Sequence, residues 1–138
     1  MREIFADTSG WASFFVSGEL YNTKAREQMR QWRSSNVRLI TTNYVLLELV
    51  ALMTSPLRVP RIQQITIVET IRTASWVEII HIDSTLDTQT LTLFKQRRDK
   101  MWSLVDCSSF VVMNQRSITE AFTTDHHFEQ AGFIRTLQ

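Results

Sequence analysis

Apolar residues in this chain fall into short runs separated by longer stretches of helical periodicity. Ile4, Phe5 and Ala6 form the first run, too short for periodicity to settle but of the kind found in a strand buried inside a sheet. It ends in Asp7-Thr8-Ser9-Gly10, a turn and cap cluster, after which Trp11 to Val16 predict a helix. Ser17-Gly18 interrupt, and Leu20 to Arg33 predict a second helix with Arg26, Arg30 and Arg33 in one stripe. A strand is expected over Arg38 to Thr41, followed by an N-cap at Thr42-Asn43 and an apolar helix from Tyr44 to Met53. Ser55-Pro56 stops that helix, and Pro60 opens the next, from about Arg61 to Thr73. Trp76 to Ile82 are rich in β-branched residues and read as a strand. A helix capped by Asp83 or Ser84 then runs to about Arg98. After a loop at Asp99 to Trp102, Ser103 begins a helix with Leu104, Val105, Phe110, Val111 and Met113 on its buried side. Ala121 to Thr124 predict a strand ending at Asp125, and Phe133 to Thr136 a last edge strand. Strands alternating with helices imply a parallel sheet covered on both faces.

Composition narrows this picture. The 138 residues make one domain, residues 1–138, with no internal repeat or linker, and a 43% apolar content suffices for a core. A net charge of +1 is too small for whole-molecule steering toward nucleic acid. The single Cys107 excludes an internal disulfide. No apolar run approaches the ~20 residues of a membrane span, and Asp7 and Ser9 interrupt any signal-like pattern. The expectation is a soluble cytoplasmic domain without membrane contact.

The chemistry gathers around four acids. Asp7 ends the first strand, where open α/β sheets place their ligands, although an acid before a helix also serves as a cap. Glu48 lies in a helix apolar nearly all round, where an ionised carboxylate costs several kcal/mol unless paired or metal-bound. Asp106 completes Ser103-Leu104-Val105-Asp106, which has capping-box spacing. Asp125 ends a strand and could cap the helix that His126 and His127 begin. In a parallel sheet the junctions at strand carboxyl ends share one edge, so the four can meet. Such a cluster does not stay ionised without a cation, because like charges raise one another's pKa. Hard oxygen donors suit Mg²⁺ or Mn²⁺, and such an ion can activate water and polarise a phosphodiester.

Four motifs carry a family resemblance. Phe5-Ala-Asp-Thr-Ser-Gly-Trp11, Asn43-Tyr-Val-Leu-Leu-Glu48, Trp102-Ser-Leu-Val-Asp-Cys-Ser-Ser-Phe110 and Phe122-Thr-Thr-Asp-His-His-Phe128 resemble, in order, the acid-bearing segments of PIN domains. This is the fold of VapC-type toxin ribonucleases. The resemblance spans Ile4 to Phe133 and implies a three-layer α/β/α sandwich around a parallel sheet of about five strands. It implies a Mg²⁺- or Mn²⁺-dependent endoribonuclease, with Asp7, Glu48 and Asp106 as the metal-binding core and Asp125 as the supporting fourth acid. Thr8 or Ser9, and Thr124, would hydrogen-bond to those acids. A homodimer and an antitoxin whose peptide covers the site are further implications. His126-His127 depart from many relatives; adjacent histidines do not share a helix face, so they are expected to be solvated rather than a paired metal site.

RNA also needs groups that neutralise phosphate. Arg97, Arg98 and Lys100 precede the third acid, and Trp102 could stack on a base. Asp99, among those cations, reads as surface charge. The Arg26, Arg30, Arg33 stripe reads as a solvated face, and Trp11, Trp32 and Trp76 as core or interface aromatics. Two other readings remain open from sequence. One is a PIN-fold module that binds RNA or protein without turnover. The other is a metal-dependent phosphatase, which the absence of an Asp-x-Asp pair after the first strand disfavours.

Overall fold

The computed structural model describes residues 1–138. Five strands form one parallel sheet: β1 (Glu3–Ala6), β2 (Arg38–Thr42), β3 (Val77–Ile80), β4 (Glu120–Phe122) and β5 (Ile134–Arg135), in the order β3-β2-β1-β4-β5. Seven helices connect them: α1 (Thr8–Phe15), α2 (Asn22–Ser34), α3 (Asn43–Thr54), α4 (Arg61–Thr73), α5 (Ser84–Gln96), α6 (Leu104–Arg116) and α7 (His127–Gln130). The fold is the expected three-layer α/β/α sandwich. Right-handed crossovers leftward from β1 through β3 put α1 to α4 on one face, and the return to β4 and β5 puts α5 to α7 on the other. Helix packing agrees: α1 meets α2 and α3, and α3 meets α4, while α6 meets α5 and α7. α3 and α6 also touch each other.

β1 is central because it is apolar on both faces. Ile4, Phe5 and Ala6 are fully buried, as are Leu39 and Ile40 of β2 and Ala121 and Phe122 of β4. Such continuous runs are the pattern of a parallel sheet covered on both sides. Trp11 in α1 locks the centre: its Nε1 donates to Thr41 Oγ1 at 3.2 Å, and that hydroxyl donates to Ala6 O at 2.9 Å. Gly10 lets α1 lie directly on β4, since a Cβ there would sit 2.0 Å from the Phe122 carbonyl oxygen.

The two ends of the sheet differ in charge. At the amino ends of the strands every acid is paired. Arg2 meets Glu120, and Arg116 at the end of α6 bridges Glu3 and Glu78, with Arg38 also on Glu78. At the carboxyl ends, Asp7, Glu48, Asp106 and Asp125 have no arginine or lysine among their partners.

Two sequence expectations change here. The α2 stripe is solvated as expected at Arg26 and Arg30, but not at Arg33. Arg30 pairs with Glu27, while Arg33 donates to the Val37 carbonyl and lies 4.1 Å from the Trp76 ring centre. The helix bearing Glu48 is buried on one side only, with Leu47 73% exposed.

Candidate active site

Each of the four acids occupies its place through local chain geometry. Asp7 follows the last residue of β1 and stands at the N-cap of α1 with extended backbone, yet its side chain caps nothing. It is 4% exposed, and Oδ2 accepts hydrogen bonds from Thr123 Oγ1 at 3.0 Å and Ser9 Oγ at 3.3 Å. Oδ1 is buried without any partner. The cap explanation therefore fails for Asp7.

Glu48 is half-buried near the middle of α3, and its Oε1 accepts from Thr8 Oγ1 at 2.6 Å. Asp106 does form the capping box: Ser103 Oγ accepts from the Asp106 amide, and Asp106 Oδ2 accepts from the Ser103 amide at 3.1 Å. The box aims the residue rather than using it up, because both bonds that Asp106 receives go to Oδ2. The second comes from His127 Nδ1, at 3.1 Å. Asp125 Oδ1 accepts from the His127 amide at 2.9 Å.

The pattern is the same at all four positions. One carboxylate oxygen is held by protein donors, and the other accepts none. The four line one cleft of about 510 Å³, together with Thr8, Ser9, Ser103, His127 and, on its less polar side, Leu52 and Met101.

Electrostatics follow from this crowding. Burial, reinforced by the Asp106 and Glu48 charges, pushes Asp7 up to about 7. Burial also raises Glu48 and Asp106, each further raised by neighbouring carboxylates; the Ser103 amide and His127 oppose the rise at Asp106. The acids thus repel one another and have no arginine or lysine as counter-charge, only His127 beside Asp106. Carboxylates with one free oxygen each, one of these buried and orphaned, are the donor set a hard divalent cation requires.

Several supporting residues differ from the sequence reading. Thr8 and Ser9 both serve, on Glu48 and Asp7 respectively. Thr123, not Thr124, sends its hydroxyl to Asp7; the Thr124 amide instead donates to Ser9 Oγ at 2.9 Å. Strand period does not show this, because Thr123 lies just past β4, in a turn where its hydroxyl also accepts from the Asp125 amide at 3.0 Å. His127 is not solvated as expected: its side chain is 20% exposed against 65% for His126. Donor atoms of Asp125, His126 and His127 come within 4.8 Å of one another. Trp102 is 6% exposed, with its ring edge-on to Phe110 and its Nε1 bonded to Gln130, so it has no face for a base. Arg97 is held by Asp99, which is the surface charge expected of it. Arg98 and Lys100 form no ion pair.

The fold and site together define a class: a parallel α/β sandwich with an acidic, cation-receptive cleft where the strands end. The chain belongs to the PIN domain family, whose model it matches over residues 4–134. It is 30% identical over 131 residues to the 23S rRNA-specific endonuclease VapC20 of Mycobacterium tuberculosis, the match covering 95% of each chain. The crystal structure of that protein, described as a sarcin-ricin loop cleaving toxin, superposes with a TM-score of 0.83 over 95% of this chain and 96% of the other. FitAcB from Neisseria gonorrhoeae has the same fold at 16% identity and a TM-score of 0.62, covering 96% of this chain and 94% of that one.

Proposed function

We propose that this chain is a divalent-metal-dependent endoribonuclease that hydrolyses RNA phosphodiester bonds and acts as the toxin of a toxin–antitoxin pair. The observation that carries the reading is the cleft of four carboxylates with one oxygen tied and one free, including the orphaned Oδ1 of Asp7. A 23S rRNA-specific endonuclease among its relatives, similar over 95% of this chain, supports structured ribosomal RNA as the substrate class. That substrate also favours work in the cytoplasm.

Asp7, Glu48 and Asp106 would hold Mg²⁺ or Mn²⁺, with Asp125 as the fourth acid. The bound ion would supply Lewis-acid polarisation of the phosphodiester and an activated water. The chain itself supplies positioning. Thr8 fixes Glu48, Ser9 and Thr123 fix Asp7, the Ser103 amide fixes Asp106, and the His127 amide fixes Asp125. Each donor holds its acid in one orientation before substrate arrives, so that little reorganisation remains for the reaction. Arg98 and Lys100 precede Met101, which lines the cleft, and would meet the RNA backbone as it enters. A homodimer, and an antitoxin peptide laid across the cleft, complete the proposal.

Cleavage of a hairpin RNA carrying the sarcin-ricin loop, run with Mg²⁺, with Mn²⁺ and with a chelator, tests it. Chelator-sensitive cleavage by wild type, absent in Asp7→Asn, is the expected result. Retained RNA binding without cleavage at either metal would leave a binding module instead. Turnover of a simple phosphate ester in place of RNA would restore the phosphatase.

A further inference from the structure

His127 is the only side chain in the cleft that faces two of the acids at once. Its Nδ1 lies 3.1 Å from Asp106 Oδ2 and 3.4 Å from Asp125 Oδ1. The same residue's backbone amide donates to Asp125 Oδ1 at 2.9 Å. Asp106 sits on α6 and Asp125 at the end of β4, so one residue ties the two elements at their acidic tips. Facing acceptors on both sides, Nδ1 is the nitrogen that carries a proton, whichever form the ring takes. The ring is set by its neighbours: it stands 4.6 Å from the His126 ring, and the next residue, Phe128, is fully buried against Phe110 and Phe5.

We infer that His127 is a positioning residue: through Nδ1 it holds Asp106 by one oxygen and so turns the other toward the cation, in register with Asp125. The inference rests on the nuclease reading for its purpose, but its immediate consequence is metal affinity. Groups that orient ligands from behind are worth about 10- to 100-fold in affinity or activity. The chemistry separates His127 from a ligand at Nδ1. A histidine that bound the ion through Nδ1 would have to give up both carboxylates, one that bound through Nε2 would keep them, and an orienting one needs only a donor at Nδ1.

This difference selects the variants. The side-chain amide nitrogen of Asn occupies nearly the place of Nδ1 and donates, but it cannot ligate as a ring nitrogen does. Titration of Mn²⁺ by calorimetry into wild type, His127→Ala and His127→Asn, beside melting curves and kcat and KM for the sarcin-ricin hairpin, makes the test. The expected result is about tenfold weaker Mn²⁺ binding and lower kcat in His127→Ala. KM and metal-free melting temperature should stay near wild type, and His127→Asn should recover most of the affinity. Undiminished Mn²⁺ affinity in His127→Ala overturns the inference, as does His127→Asn that is no better than His127→Ala. If wild type binds Mn²⁺ without cutting RNA, the nuclease reading fails while the affinity comparison still decides His127. If wild type binds no Mn²⁺, both fall.

Discussion

Asp7 is where the demands of folding and of chemistry conflict. The residue is buried, yet one of its oxygens has no donor. An unfolded aspartate releases its proton near 3.8, whereas the folded one holds it to about 7. Between these values the folded state binds more protons than the unfolded state, so stability falls as pH rises through that window. Each unit of separation corresponds to about 1.4 kcal/mol. The metal-free protein should therefore melt several degrees lower at pH 8 than at pH 5, and millimolar Mg²⁺ at pH 8 should recover the loss by binding the ionised form. Calorimetric melts at the two pH values, with and without the ion, measure both effects; a melting temperature that climbs with pH would reject the assignment. Asp7→Asn removes the charge at almost constant shape. It should reduce cleavage at least ~100-fold while melting at or above the metal-free wild type at pH 8, the gap narrowing by pH 5 and closing only below about 3.8.

At this scale the sequence showed the acids more clearly than their supports. Asp7, Glu48, Asp106 and Asp125 stand at strand ends or on helices that lean over one edge, which topology alone predicts. Their donors depend on contacts between distant segments, such as Thr8 with Glu48 or Thr123 with Asp7. Trp102 misled for a related reason. An aromatic beside basic residues has the composition of a base platform, and only its packing on Phe110 and Gln130 shows otherwise.

Among the elements, α1 and α6 bear most directly on the site. α1 lies close on β4, and Gly10 permits it. Gly10→Ala would drive a methyl group to 2.0 Å from a backbone oxygen, which cannot yield without moving the sheet. We expect a loss of ~3 kcal/mol or more, read from urea unfolding, with Asp7 displaced from Thr123 and cleavage reduced as well. The α6 capping box permits a finer separation. Ser103→Ala removes the hydroxyl that caps the helix but leaves the Ser103 amide, which is the group that holds Asp106. Stability should fall by about 1 kcal/mol with Mn²⁺ affinity nearly unchanged; a large loss of affinity would mean that the hydroxyl, not the amide, aims the acid. Element positions were readable from period and caps. The fourth helix was expected at Arg61 to Thr73 and lies there. Ends were less readable at strands, where the last pairing depends on a neighbour: β3 stops at Ile80 and β4 at Phe122, two residues before the expected ends.

For the whole molecule, the distribution of charge matters more than its sum. The net charge of +1 says little, but arginines neutralise the acids at the amino ends of the strands, whereas none pairs with the four acids of the cleft. Arg116, with its side chain 33% exposed, is the hub of that paired end. Replacing it with Leu should cost about 1 kcal/mol, more so at low ionic strength, and should leave RNA cleavage intact because the acids lie at the opposite end. Reduced turnover at unchanged stability would argue against this separation.

The strand order β3-β2-β1-β4-β5 also has a consequence for how such a protein is made. Asp7 and Glu48 belong to the first half of the chain, Asp106 and Asp125 to the second, and the strand that seats Asp125 pairs directly with β1. Translation therefore delivers the site last. A growing polypeptide carries no complete set of acids until residue 125 has been joined, and no enclosing sheet until β4 has docked beside the first strand. An unfinished copy, lacking Asp125 and the strand that seats it, therefore cannot assemble the cleft.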